Sequence, residues 1–208
     1  MGANCCHDVK FDGMDPAYKR ALIIVITINA AMFLIEMPMG FIGQSQALKA
    51  DALDFLGDTF TYAISLAVIG KAATTRAKVA LFKGVSLLLM GAWVLGSTIY
   101  SVFYVPQPAA IIMGSVGFAA LVANLLSVLL LVRFKDGDAN VRSVWLCSRN
   151  DAIGNVMVML AASGVWVSGT GWPDLIVASI MASLFLWGAA SIIRQAAYEL
   201  NHQHSPAE

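Results

Sequence analysis

The sequence predicts an all-α, polytopic membrane protein with six transmembrane helices. Hydrophobic residues make up 59% of its 208 residues and charged residues only 12%, whereas about 25% of residues are charged in soluble domains. A span needs about 20 apolar residues, so six spans would use about 120 and leave only short loops and small tails. The first 20 residues are polar and lack the apolar core of a cleavable secretory signal. We therefore expect a single membrane domain.

Six long apolar runs follow one another along the chain and give the predicted spans. In order, they are Ala21–Phe41, Ala47–Gly70, Val79–Val102, Ala109–Arg133, Val141–Val167 and Asp174–Ile193. Breaks in the apolar pattern separate them: Gly43-Gln44-Ser45, a basic stretch from Lys71 to Lys78, Pro106-Gln107-Pro108, Lys135-Asp136-Gly137-Asp138 and Gly169-Thr170-Gly171-Trp172-Pro173. The pattern divides the chain into a tail at 1–20, a six-helix domain at 21–195 and a tail at 196–208.

The basic residues predict how the chain crosses the membrane, because short loops rich in Lys and Arg stay cytoplasmic. One side holds nearly all of them: Lys10, Lys19, Arg20, Lys71, Arg76, Lys78, Lys83, Arg133, Lys135, Arg142 and Arg194. The opposite side has only Lys49. We expect a protein of the cell (inner) membrane with both termini cytoplasmic. The formal net charge of zero and the lack of a basic cluster argue against a nucleic-acid partner.

Ionisable residues inside the predicted spans are concentrated in the second and fifth. The second carries Asp51, Asp54 and Asp58, and the fifth carries polar residues from Cys147 to Asn155. Spans three, four and six are almost free of charge. A charged side chain inside a span costs about 2.5–3.5 kcal/mol on insertion scales, so such residues are functional candidates.

Their spacing places the candidates in two ladders, because residues four apart share one helix face. Asp54 and Asp58 form one ladder, and Cys147 and Asp151 form the other. At about 1.5 Å per residue, Asp54 and Asp58 lie roughly 10 to 17 Å from the outer, non-cytoplasmic end of the second span. Cys147 and Asp151 lie roughly 9 to 15 Å from the inner, cytoplasmic end of the fifth span. In antiparallel helices, Asp58 should face Cys147 and Asp54 should face Asp151.

Three carboxylates and a thiolate suit zinc and chemically similar divalent ions. A divalent cation also offsets like charges that would repel in a low dielectric. Without metal, some of these carboxyl groups should be protonated. The sequence thus predicts that metal and protons exchange at one site, with the ion as transported substrate rather than as a cofactor.

Two stretches of sequence resemble signatures of the cation diffusion facilitator family. SQALKADALDFLGD is similar to its second-helix signature, with Asp54 at a His-or-Asp ligand position and Asp58 at an Asp position. SRNDAIGNV is similar to its fifth-helix signature, with Asp151 at the Asp ligand position. The resemblance implies a six-helix bundle that exports a divalent cation by proton antiport and alternating access. It also implies a transporter rather than an enzyme.

The sequence departs from the family pattern in two places. Cys147 stands where the family usually carries His or Asp, so it forms a softer four-ligand site or the fourth ligand is Asn150, Asn155 or water. Cys147 could also be a small buried hydrophobe. The chain ends soon after the sixth span, where typical members continue into a cytosolic domain, so dimerisation through that domain is not assumed. We expect a homodimer held by membrane helices instead. Zinc is the expected substrate, while Cd²⁺, Co²⁺, Mn²⁺ and Fe²⁺ stay open.

Several other residues are candidates for accessory metal binding. Asp51 has three readings: an entrance residue, a helix-pairing group or a direct ligand. The tails supply soft ligands that either load metal from the cytosol or are solvent-exposed residues without a role: Cys5, Cys6, His7, His202 and His204.

Two other functions fit parts of the pattern. A membrane metal sensor or scaffold would bind metal without transport. An intramembrane aspartyl protease would use Asp58, which follows Gly57, and Asp151 as a catalytic dyad, although a dyad leaves the remaining ladder residues unexplained.

Overall fold

The computed structural model describes residues 15–67, 73–104, 106–135 and 139–202, without the side chains at 65, 73–77, 139–146 and 199–202. These ranges contain six long helices and no strand, which confirms the predicted all-α class. The helices are α1 Pro16–Ile42, α2 Gln46–Ala67, α3 Ala73–Tyr104, α4 Ala110–Leu131, α5 Ala139–Ser168 and α6 Trp172–His202. A short 3-10 helix, Val132–Phe134, follows α4.

The helices overlap the six predicted spans in order, and the outermost ones extend further. Helix α1 begins at Pro16, where the Asp15 carboxylate accepts a hydrogen bond from the Ala17 backbone N–H at 2.7 Å. Helix α6 continues to His202. Hydropathy marks only the part of a helix that contacts hydrocarbon, so polar turns beyond it escape that signal. The division at residues 20 and 195 stays a prediction.

Helix α2 differs from the others in polarity. Within the described ranges, five helices are long and apolar enough to cross a membrane, namely α1, α3, α4, α5 and α6. Helix α2 carries Lys49, Asp51, Asp54 and Asp58, which lower its hydropathy. It contacts each of the other five long helices, so the bundle shields its charges from lipid.

The outer surface of the bundle is strongly apolar. Large hydrophobic side chains are widely exposed, for example Leu34 at 70%, Ile111 at 82% and Trp187 at 71%. A soluble protein rarely exposes apolar patches of this extent, whereas lipid tails accept them. The exposed side chains therefore mark the surface that contacts hydrocarbon.

Helices α3 and α6 pack closely along their length. A Cβ added at Gly84 would lie 2.7 Å from Cγ1 of Ile193, and one added at Gly91 would lie 3.0 Å from Cβ of Phe185. These glycines are seven residues apart and therefore share a helix face. Small residues at such positions let two membrane helices approach closely, so α3 and α6 form a tightly packed pair.

An acidic residue of α6 caps the start of α2. The Asp174 carboxylate accepts hydrogen bonds from the backbone N–H groups of Gln46 at 2.8 Å and Ala47 at 3.0 Å, and from the Ser45 hydroxyl at 2.6 Å. The Ser45 hydroxyl oxygen in turn accepts from the Leu48 N–H at 3.0 Å. A carboxylate at a helix N-terminus satisfies free N–H donors and favours the helix dipole. We call the end of the bundle at which α2 and α6 begin the outer end. The cap joins α2 to α6 at this end.

Candidate metal centre

The four predicted ligands line one cavity. Asp54 and Asp58 on α2 and Cys147 and Asp151 on α5 all border a cavity of about 490 Å³. The cavity lies in the inner half of the bundle, between the C-terminal parts of α2 and α6 and the N-terminal parts of α3 and α5. The inner end is the one at which α1 begins and α6 ends. The cavity therefore lies nearer to the inner end than to the outer end.

Asp151 is the point where the two acidic ladders meet. Its carboxyl group lies close to those of both Asp54 and Asp58. The antiparallel arrangement of α2 and α5 predicts that Asp54 faces Asp151. In the structure, Asp58 also lies close to Asp151. Three carboxyl groups this close together would repel one another if all were charged, so either protons or a bound cation would stabilise the cluster.

Cys147 lies at the edge of this cluster. Its side chain is half-buried and lines the cavity beside Asp58. It also packs against an apolar cluster that includes Leu22, Tyr62 and Leu131. Its position is compatible both with a metal ligand and with a small packing residue.

The side chains are close but not in a coordinating arrangement. Within the described ranges, no three or more His, Cys, Asp or Glu side chains form a group that could hold a metal ion. Binding a cation would therefore require rotamer changes that turn the side-chain oxygens toward a common centre.

A separate chain of polar groups lies further from the inner end. The Asn155 side-chain N–H donates to Asp51 at 2.5 Å, and Asn124 donates to the Asn155 carbonyl at 2.8 Å. The buried carboxyl group of Glu36 adjoins that of Asp51. This chain links α1, α2, α4 and α5. Asp51 and Asn155 do not line the cavity, while Asn150 does.

Two further residues of the site follow from the structure. Tyr62 lies close to Asp58, one turn further along α2. Lys83 of α3 lines the cavity opposite α2 and α5. Tyr62 follows Asp58 by four residues, and this spacing could have indicated that it belongs to the site. Lys83 is a charge inside an otherwise apolar span, which could have indicated a functional residue, but it was used only to predict the orientation of the chain.

The proposed loading residues of the tails cannot be placed. Cys5, Cys6, His7 and His204 lie outside the described residues, as does the side chain of His202. Their role stays a prediction.

Comparisons with known proteins agree with the sequence resemblance. Residues 22–201 match the family model described as the cation efflux transmembrane domain. The chain is 25% identical over 199 residues to a cadmium, cobalt and zinc/H(+)-K(+) antiporter of Bacillus subtilis (strain 168), which covers 88% of this chain and 64% of that protein.

Two other relatives give the same result. A metal cation efflux system protein, CzcD, of Cupriavidus metallidurans is 26% identical over 199 residues, covering 90% of this chain and 60% of the relative. A zinc transporter, ZitB, of Escherichia coli (strain K12) is 27% identical over 197 residues, covering 87% of this chain and 62% of the relative. This chain thus spans about three fifths of the length of the curated relatives it matches.

Proposed function

The chain belongs to the cation efflux family, and on that premise we propose that it exports a divalent metal cation, zinc foremost, in exchange for protons. The ion binds between α2 and α5 through Asp54, Asp58, Cys147 and Asp151. The observation that carries the proposal is that all four side chains line one cavity in the inner half of the bundle.

Ligand chemistry supports a divalent transition metal as the substrate. Carboxylate oxygens and a thiolate both bind Zn²⁺, which is usually four-coordinate in proteins. The relatives' names mention cadmium, cobalt and zinc, and all three accept such a mixed ligand set. Mn²⁺ and Fe²⁺ stay possible substrates.

Proton exchange follows from the contacts among the aspartates. A carboxyl group that binds metal must give up its proton, so metal entry would release protons held by the cluster of Asp54, Asp58 and Asp151. Protons that enter from the other side would displace the metal in turn. The name of the Bacillus subtilis relative is that of an antiporter and includes protons, which supports proton-coupled antiport.

The cavity's position supports export from the cytoplasm. We assign the inner end of the bundle to the cytoplasm because the basic residues lie there. They include Lys19, Arg20, Lys78, Arg133 and Arg194. The cavity then lies in the cytosolic half of the bundle, and the cell membrane is the expected location. A homodimer through membrane helices is also proposed, which cross-linking in native membranes would test.

The protease alternative does not agree with the family. Cation efflux proteins are transporters rather than enzymes. The proximity of Asp58 and Asp151 is explained if both are ligands of one cation. A membrane metal sensor remains as the second outcome of the experiment below.

Metal flux in proteoliposomes tests the proposal. The full chain is reconstituted with a zinc-sensitive or pH-sensitive dye inside the vesicles, and zinc is added outside. Wild type should show saturable zinc uptake with opposing proton movement. Asp151→Ala should abolish the flux, as should the double variant Asp54→Ala/Asp58→Ala, because each removes ligands from the same site.

A matched control is Asp15→Asn, which changes an exposed carboxylate that caps α1. Asn caps a helix about as well as Asp, so its flux should equal that of wild type. Wild-type flux from folded Asp151→Ala protein would refute the site. Zinc binding without flux in wild type would favour a sensor, and proton-independent zinc flux would refute antiport alone.

A further inference from the structure

Lys83 is a cationic residue in a cavity whose other charged groups are acidic. It lies in α3, half-buried, and borders the same cavity as Asp58, Cys147 and Asp151. A lysine at such a position repels a divalent cation, so its presence beside the candidate centre needs a physical explanation.

A salt bridge does not provide that explanation. Lys83 makes no hydrogen bond or ion pair with another described residue. Its strongest electrostatic partners are nevertheless Cys147 and Asp58. The ammonium group therefore lies in the field of the acidic cluster while remaining unattached to any one carboxylate.

The helix that carries Lys83 adds a second observation. The predicted ligands all lie on α2 and α5, whereas Lys83 lies on the closely packed α3 and α6 pair. The cavity separates these two walls. Lysine has a flexible four-carbon stem and a compact charge, so its ammonium group can approach or leave the ligands without a change in the backbone.

We propose that Lys83 determines metal affinity and release, acting as a tethered cation that neutralises the acidic cluster before the substrate binds and repels the substrate afterwards. This inference rests on the proposed function. Lys83 is not a ligand. It limits how tightly the ion is held, and so prevents the substrate from becoming trapped in a site with three carboxylates.

The proposal predicts opposite effects on binding and turnover. Removing the charge should strengthen metal binding, because one repulsive interaction is lost in a partly desolvated cavity. Tighter binding should slow release of the ion. KM and kcat for zinc flux should therefore both fall in a variant without the charge.

The test uses the full chain with the variants Lys83→Met and Lys83→Arg. Zinc Kd is measured by titration in nanodiscs, and initial flux rates are measured in proteoliposomes. Lys83→Met should lower Kd by about tenfold or more and lower kcat, whereas Lys83→Arg, which keeps the charge, should stay within about twofold of wild type. The matched control is Lys78→Met, an exposed lysine of α3 that does not line the cavity, and it should leave both values unchanged.

The outcomes separate this inference from the proposed function. Unchanged Kd and kcat in Lys83→Met would overturn the role of Lys83 and leave the transporter intact. Weaker binding in Lys83→Met but not in Lys83→Arg would also overturn it, because the charge would then support the ligands. A wild-type protein that neither binds nor moves zinc would refute the proposed function itself.

Discussion

Cys147 is the residue that distinguishes this site most clearly from the family pattern. It lies at the junction of the cavity and an apolar cluster, so two roles are compatible with its position. As a ligand, its thiolate would favour soft ions, whereas an oxygen ligand at the same place would favour harder ones. As a packing residue, it would have little effect on metal preference.

Cys147→Ser separates these roles. If the thiolate binds metal, the substitution should lower the cadmium flux relative to the zinc flux by about tenfold, a change typical of altered metal-site ligation. The measurement is the ratio of initial cadmium and zinc rates in the same proteoliposomes, so each variant supplies its own control. An unchanged ratio would show that Cys147 acts as a packing residue.

The acidic ladders can be predicted from the sequence because the physics behind them is local. Charges inside a span are costly, and a four-residue spacing places Asp54 with Asp58 on one face. The bond from Asn155 to Asp51, and the position of Lys83 across the cavity, depend instead on how separate helices rotate against one another. No local pattern specifies that rotation.

At the scale of elements, the order of the helices can be predicted from the sequence, whereas the hydrogen bonds by which one helix caps another cannot. The apolar runs of the sequence overlap all six helices. A chain segment that crosses lipid is apolar, and it forms a helix because its backbone hydrogen bonds must be satisfied within the segment. The capping of α2 by Asp174 joins residues that are 127 to 129 positions apart in the chain. Asp174 is predictable only as an acidic residue in the first turn of α6.

The α3 and α6 pair gives a prediction at this scale. Gly84→Ala should destabilise the protein by about 1–3 kcal/mol, because the new Cβ would lie 2.7 Å from Cγ1 and 3.3 Å from the backbone N of Ile193. Gly96→Ala on the same helix is the matched control, since no atom lies within 4 Å of its added Cβ. Thermal unfolding in detergent should show a lower Tm for Gly84→Ala alone. Equal Tm values would contradict close packing between these helices.

At the scale of the whole molecule, the two ends of the bundle differ. The inner half contains the cavity, while polar contacts join the α3 and α6 pair to α2 at the outer end. These contacts are the Asp174 cap and a hydrogen bond from the Gln46 side-chain amide to the Ser101 hydroxyl at 2.5 Å. At the outer end, these contacts hold α2 to both α3 and α6. Opening outward would require these contacts to break.

Removing the cap should therefore expose the outer half of α2. The experiment places a single cysteine at Ala50, which is fully buried one turn after Gln46, in a background where Cys5, Cys6 and Cys147 are serine. A membrane-impermeant maleimide added outside intact cells should label Ala50→Cys slowly. Asp174→Ala should raise that labelling rate severalfold, because two backbone N–H groups and the Ser45 hydroxyl lose their acceptor and the closed state loses stability. Ser168→Ala, at an exposed outer position, should leave the rate unchanged. Equal rates in folded Asp174→Ala and parent proteins would show that contacts other than this cap hold the outer end closed.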